Sequence, residues 1–149
     1  ILVQLASSVP FEERNRPFIQ KGLDHYFSGD YVSALHLLVP QLEALIRQLL
    51  EKAGLAPAKL VRRDNNMWEF ESMGTMLSRA SKELPDLLPQ ELKIYVERTL
   101  CATTGWNLRN RIAHGMVSQG ECNRMTADTV LHLYLSFALF RAERVTGEN

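Results

Sequence analysis

The stretch Asn107-Leu108-Arg109-Asn110-Arg111-Ile112-Ala113-His114-Gly115 holds the residues of this sequence best equipped for chemistry. It sets an arginine, an adjacent amide and a histidine within about one and a half helical turns, closed by a glycine. Asn110 and His114 are four apart and share a helix face. Arg109 lies about 140° around from His114, but its long stem can curl back toward that edge. An imidazole changes charge near neutral pH and moves protons, while a guanidinium grips phosphate oxygens. Together they are the minimum equipment for metal-free phosphodiester cleavage. Spacing alone leaves a second reading open. Arg109 and Arg111 then are surface charges, and His114 followed by Gly115 is ordinary helix capping.

The composition bounds the setting. A chain of 149 residues fits one domain and buries roughly two-thirds of its unfolded surface without cross-links. Its 46% hydrophobic content is that of a packed protein. Seventeen basic residues balance seventeen acidic ones, so no global field draws it to nucleic acid or anionic lipid. Contact with RNA must come from a local patch. Cys101 and Cys122 show no metal-ligand or redox spacing and suggest reduced thiols in a cytoplasmic chain, with one bridge still allowed. No segment reads as a signal peptide or a membrane span; the apolar run Val130 to Phe140 is too short and is interrupted by His132 and Ser136. The sequence starts at Ile1 without a methionine and reads as a piece of a longer chain. Ile1 to Arg14 would be a connector from a preceding region, with the domain over residues 15–149.

The elements that must position the motif are helical. Pro17 suits a first helical turn, followed by Phe18, Ile19, Leu23, Tyr26 and Phe27 at helical spacing, with a stop at Ser28-Gly29. Asp30 caps a longer second helix with a wide apolar stripe from Tyr31 to Leu50, Pro40 inside it and Gly54 at its end. Leu55 to Phe70 has no clear period and reads as a long loop. Met73, Met76, Leu77, Ala80 and Leu84 mark a third helix ended by Pro85. Pro89 starts a fourth, with Leu92, Tyr95, Val96, Thr99 and Leu100 facing inward until Thr103-Thr104-Gly105 breaks it. Asn107 would cap a short turn carrying Arg109 to His114, and a loop follows to Asn123. The final helix begins near Thr126 and is apolar all round, which suits a central position or a shared interface. The expected class is all-α, a bundle of about five main helices.

Two separated stretches carry a family resemblance. Gly29-Asp30-Tyr31, Ala34-Leu35-His36-Leu37-Leu38-Val39-Pro40-Gln41-Leu42-Glu43 and Arg47 resemble the front half of a small uncharacterised domain family. That family's signature is Arg-Asn-x-x-x-His-Gly, here Arg109 to Gly115, and it includes the endoplasmic-reticulum-membrane-associated RNA degradation protein of animals. It is similar in turn to the HEPN superfamily (higher eukaryote and prokaryote nucleotide-binding), marked by Arg, four to six residues, then His. The resemblance spans about Pro17 to His114. It implies a helical bundle that pairs so that two motifs face one another. Many such proteins are metal-independent ribonucleases; others bind nucleotides or have lost activity. The toxins with a modifiable tyrosine two residues after the histidine have no counterpart, because Met116 stands there.

Residue roles follow. His114 is the general acid or base, Arg109 the phosphate holder, and Asn110 orients His114 or donates to phosphate. Arg111 faces elsewhere, as a surface or secondary phosphate contact. Glu43 and Arg47 form an i,i+4 pair that would border the site or be a solvated salt bridge. His25, His36 and His132 have no ligand-type partner at metal spacing and read as structural, so neither metal nor cofactor is expected. Arg62, Arg63 and Arg124 would supply a basic rim or be solvated charges. Trp68 and Trp106 would stack on bases or sit in the core. Two functions stand against each other: a dimeric metal-independent endoribonuclease leaving 2′,3′-cyclic phosphates, and a non-catalytic module for dimerisation or nucleotide sensing. RNA and a second copy of the chain are the expected partners.

Overall fold

The computed structural model describes residues 13–55, 58–62, 67–83 and 87–146, with the backbone alone for 58–62, 67–70 and 140–146. Most of the expected connector, residues 1–12, lies outside the described residues. After a single 3-10 turn at Glu13–Asn15 come α1 (Arg16–Phe27) and α2 (Tyr31–Lys52), then strands β1 (Ala58–Arg62) and β2 (Met67–Phe70). They are followed by α3 (Met73–Glu83), α4 (Gln90–Val96), the short α5 (Leu108–Ala113) and α6 (Arg124–Thr146). The class is all-α, a helical bundle of five main helices and the short α5 that carries the motif.

The expected loop over Leu55 to Phe70 contains an antiparallel hairpin instead. Ala58 stands opposite Phe70, Lys59 opposite Glu69 and Leu60 opposite Trp68, with a bulge before Arg62 meets Met67. A bulge inserts one residue into one strand only, so the alternation of apolar and polar residues is lost just where it would be read. Val61, Trp68 and Phe70 still carry the β preference.

The chain divides into two compact units, Ile1–Leu45 with Leu108–Asn149, and Ile46–Asn107. In the first, Gly29 leaves α1 with φ +83° and Asp30 accepts the Ser33 N–H at 3.0 Å, capping α2. Pro17 occupies the first turn of α1, where a missing N–H costs no helical bond. α1 and α2 pack closely at Gly22, whose added Cβ would lie 2.7 Å from the Leu38 side chain. Ile19, Leu23, Leu35, Leu38, Leu42, Leu108, Val130, Leu133 and Phe137 are buried. Tyr134 donates its hydroxyl to the Leu38 carbonyl at 2.7 Å, and burial pushes its phenol well above the usual range.

In the second unit Ile46, Leu50, Met73, Met76, Leu77, Val96 and Leu100 are buried. The wide stripe of α2 is thus largely taken up inside the chain, leaving only Val32 among its large apolar residues exposed. α4 loosens into a π turn over Glu97–Cys101, closed by the Ala102 N–H on the Glu97 carbonyl at 2.7 Å. The chain then turns through Thr103-Thr104-Gly105, and the Trp106 N–H donates to the Arg98 carbonyl at 2.8 Å.

Candidate functional site

α5 is six residues long, so its geometry is set by its ends and not by its own hydrogen bonds. Asn107, before it, has φ +50°, a left-handed conformation that asparagine tolerates better than most residues. Leu108 is buried and anchors the first turn. At the far end the Gly115 N–H donates to the Ile112 carbonyl at 3.1 Å and the Met116 N–H to the Arg111 carbonyl at 2.7 Å. With Gly115 at φ +65° this is a Schellman closure, and His114 is the residue that ends the helix. The capping reading of the His114 backbone is therefore real. It leaves the imidazole for other use.

The Arg109 guanidinium is engaged by Glu43 and Asn110. Its Nε donates to Glu43 Oε2 at 2.5 Å and its Nη2 to Glu43 Oε1 at 3.1 Å, a two-pronged pair. Its Nη1 donates to Asn110 Oδ1 at 2.9 Å. The Arg109 side chain is 27% exposed and that of Glu43 only 12%, so the pair is shielded enough to be more than a surface contact. Sequence reading set Glu43 beside Arg47 on one helix; the fold gives it a partner 66 residues away. No periodicity reveals such a pair, although Glu43 sits off the main stripe at a position the family resemblance marks.

His114 is exposed, and its ring has no hydrogen bond or ion pair among the described residues. No family model, curated protein or solved structure matches this chain.

Arg111 is engaged elsewhere. It donates to Glu121 Oε1 at 2.5 Å and to the Met116 carbonyl at 3.2 Å, tying down the loop after the motif. Glu121 also accepts from the Ser118 hydroxyl at 2.7 Å and the Ser118 N–H at 2.9 Å. These bonds, Ser118 first and Arg111 after, lower its carboxyl from 4.5 to about 2. A group with a depressed folded pKa contributes stability above its unfolded value and loses it as pH falls through the folded one. The clasp is thus at full strength above about pH 4.5 and opens toward pH 2. A carboxyl-detected NMR titration should find Glu121 titrating near 2, and an ordinary midpoint would show that the clasp does not persist in solution.

Several of the other candidates have partners of their own. Arg47 belongs to the second unit, where it donates to the Glu71 carbonyl at 2.8 Å and approaches Met76 Sδ at 3.2 Å. His25 Nδ1 lies 3.1 Å from Asp30 Oδ2, and His36 Nδ1 bonds the Val32 carbonyl at 2.8 Å. Arg124 approaches Asp128 at 3.7 Å. Trp106 is partly exposed, whereas the side chains of Arg62 and Trp68, and Arg63 altogether, lie outside the described residues. Among the described residues no three His, Cys, Asp or Glu are grouped to hold a metal ion, and no helix is long and apolar enough to cross a membrane.

Proposed function

We propose that this chain is a HEPN-type, metal-independent endoribonuclease that acts as a dimer through paired Arg109-Asn110-x-x-x-His114 motifs. The observation that carries this reading is the exposed His114 ring, without a partner among the described residues, at the closed end of a helix whose Arg109 and Asn110 are held in one network with Glu43. In the proposed reaction His114 takes the proton of a ribose 2′-hydroxyl. The 2′-oxygen attacks phosphorus, and the 5′-oxygen leaves with a proton from the second copy's imidazole. Arg109 offers donors to the crowded phosphate. One motif has a single histidine, so acid and base together call for two copies. Leu139 on α6 and Phe18 and Phe27 on α1 are exposed apolar residues that suit such pairing. Among the described residues Cys101 and Cys122 are not joined in a disulfide, which suits a reducing, cytoplasmic setting.

The test is cleavage of RNA by the purified chain in EDTA, wild type against His114→Ala. Sedimentation at tens of micromolar should show a dimer, and monomer alone would count against the paired mechanism. A second reading, a non-catalytic dimerisation or nucleotide-sensing module, is favoured by one observation: the Glu43 carboxylate already neutralises Arg109. It takes over if the wild type cleaves no RNA in any buffer.

A further inference from the structure

We propose that Glu43 is a positioning residue, holding the Arg109 guanidinium side-on so that its remaining donors take phosphoryl oxygens of an RNA backbone. The proposal rests on the nuclease reading for its substrate, but its geometry stands apart from it. A guanidinium carries five N–H groups. Glu43 takes one on Nε and one on Nη2, and Asn110 takes one on Nη1. One donor on each terminal nitrogen is left without a partner among the described residues. Two donors on adjacent nitrogens match the two non-bridging oxygens of a phosphodiester.

α5 does not need this pair to be held in place. Leu108 anchors its start and the Gly115 closure ends it. Withdrawing two charges from water is costly, and apolar side chains would join two helices as well or better. Keeping an arginine aimed by a carboxylate makes sense where an oriented cation is needed before substrate arrives. Because Glu43 cancels much of the charge, Arg109 would recognise phosphate by direction more than by attraction. Removing the carboxylate should therefore spare affinity and damage turnover.

The experiment follows the arginine Nε–H and Nη resonances of the full-length labelled chain, with Arg109 assigned by its loss in Arg109→Lys. The probes are inorganic phosphate and an RNA oligomer made uncleavable by 2′-deoxy substitution. The Arg109 Nε–H should sit well downfield and stay there when either probe binds, while its Nη signals move. In Glu43→Gln the Nε–H should shift upfield before any probe is added. For cleavable RNA, with rates normalised to the folded fraction, Glu43→Gln should lose ~10- to 100-fold in kcat with KM unchanged or lower. Glu43→Asp should recover part of that loss. Loss of the wild-type Nε–H to solvent on probe binding would make Glu43 a displaced brake and overturn the proposal. So would Arg109 signals indifferent to both probes, or Glu43→Gln turning over at the wild-type kcat. The wild-type spectra decide the matter even if a variant fails to fold. Probe binding through Nη without RNA cleavage would uphold the positioning role and remove the nuclease reading.

Discussion

His114→Ala should cleave RNA ~100- to 10,000-fold more slowly than wild type in buffer containing EDTA, with its fold intact. The loss is that of the proton carrier, and no other histidine of the motif segment can replace it. The imidazole is exposed and makes no bond among the described residues, so its removal should change stability by no more than about 0.5 kcal/mol. Gel cleavage assays beside thermal melts separate the two effects. Equal rates in wild type and variant would remove His114 from the mechanism, and loss of wild-type activity in EDTA would remove metal independence.

The matching Arg109→Ala variant is a less clean test than the sequence suggests. Sequence patterning puts Arg109 outside the core and allows about 1–2 kcal/mol of destabilisation. Its removal leaves the largely shielded Glu43 carboxylate without that partner, which raises the expected cost to on the order of 2–4 kcal/mol. The ~100- to 1,000-fold loss expected of a charge stabiliser must be measured on folded protein. Arg111→Ala remains a useful comparison, because it loosens the Glu121 clasp and leaves the Arg109 network in place. If it were as damaging as Arg109→Ala, the phosphate-binding arginine would be misassigned.

Gly105→Ala should be among the most destabilising single substitutions, by roughly 3 kcal/mol, lowering the melting temperature by about 6–12 °C. An added Cβ would lie 2.1 Å from the Arg98 carbonyl oxygen and 2.8 Å from its carbon, both backbone atoms with no rotamer to yield. That carbonyl also accepts the Trp106 N–H, so moving it breaks the bond that closes the turn. Gly120→Ala is the control, since a Cβ there meets nothing within 4 Å. A melt of Gly105→Ala within a degree of wild type would show that the backbone there is free to shift.

The features legible along the chain are local ones. Helical periodicity, Pro17, Gly29, Asp30 and Gly115 mark helices that begin and end within a few residues of where they are found, because caps and turns depend on neighbours along the chain. The same locality puts Asn110 and His114 four apart on one turn. The β1–β2 hairpin escaped because a bulge broke its period. Gly105 reads in the sequence as a helix breaker, but its need for the absence of a Cβ comes from the returning Arg98 carbonyl. The direction of Arg109 is set by long-range packing. Its stem allows many directions, and the choice of Glu43, 66 residues away, depends on which carboxylate the fold brings into a partly dry place. A guanidinium goes where a desolvated charge most needs it, and no spacing within one helix can reveal that.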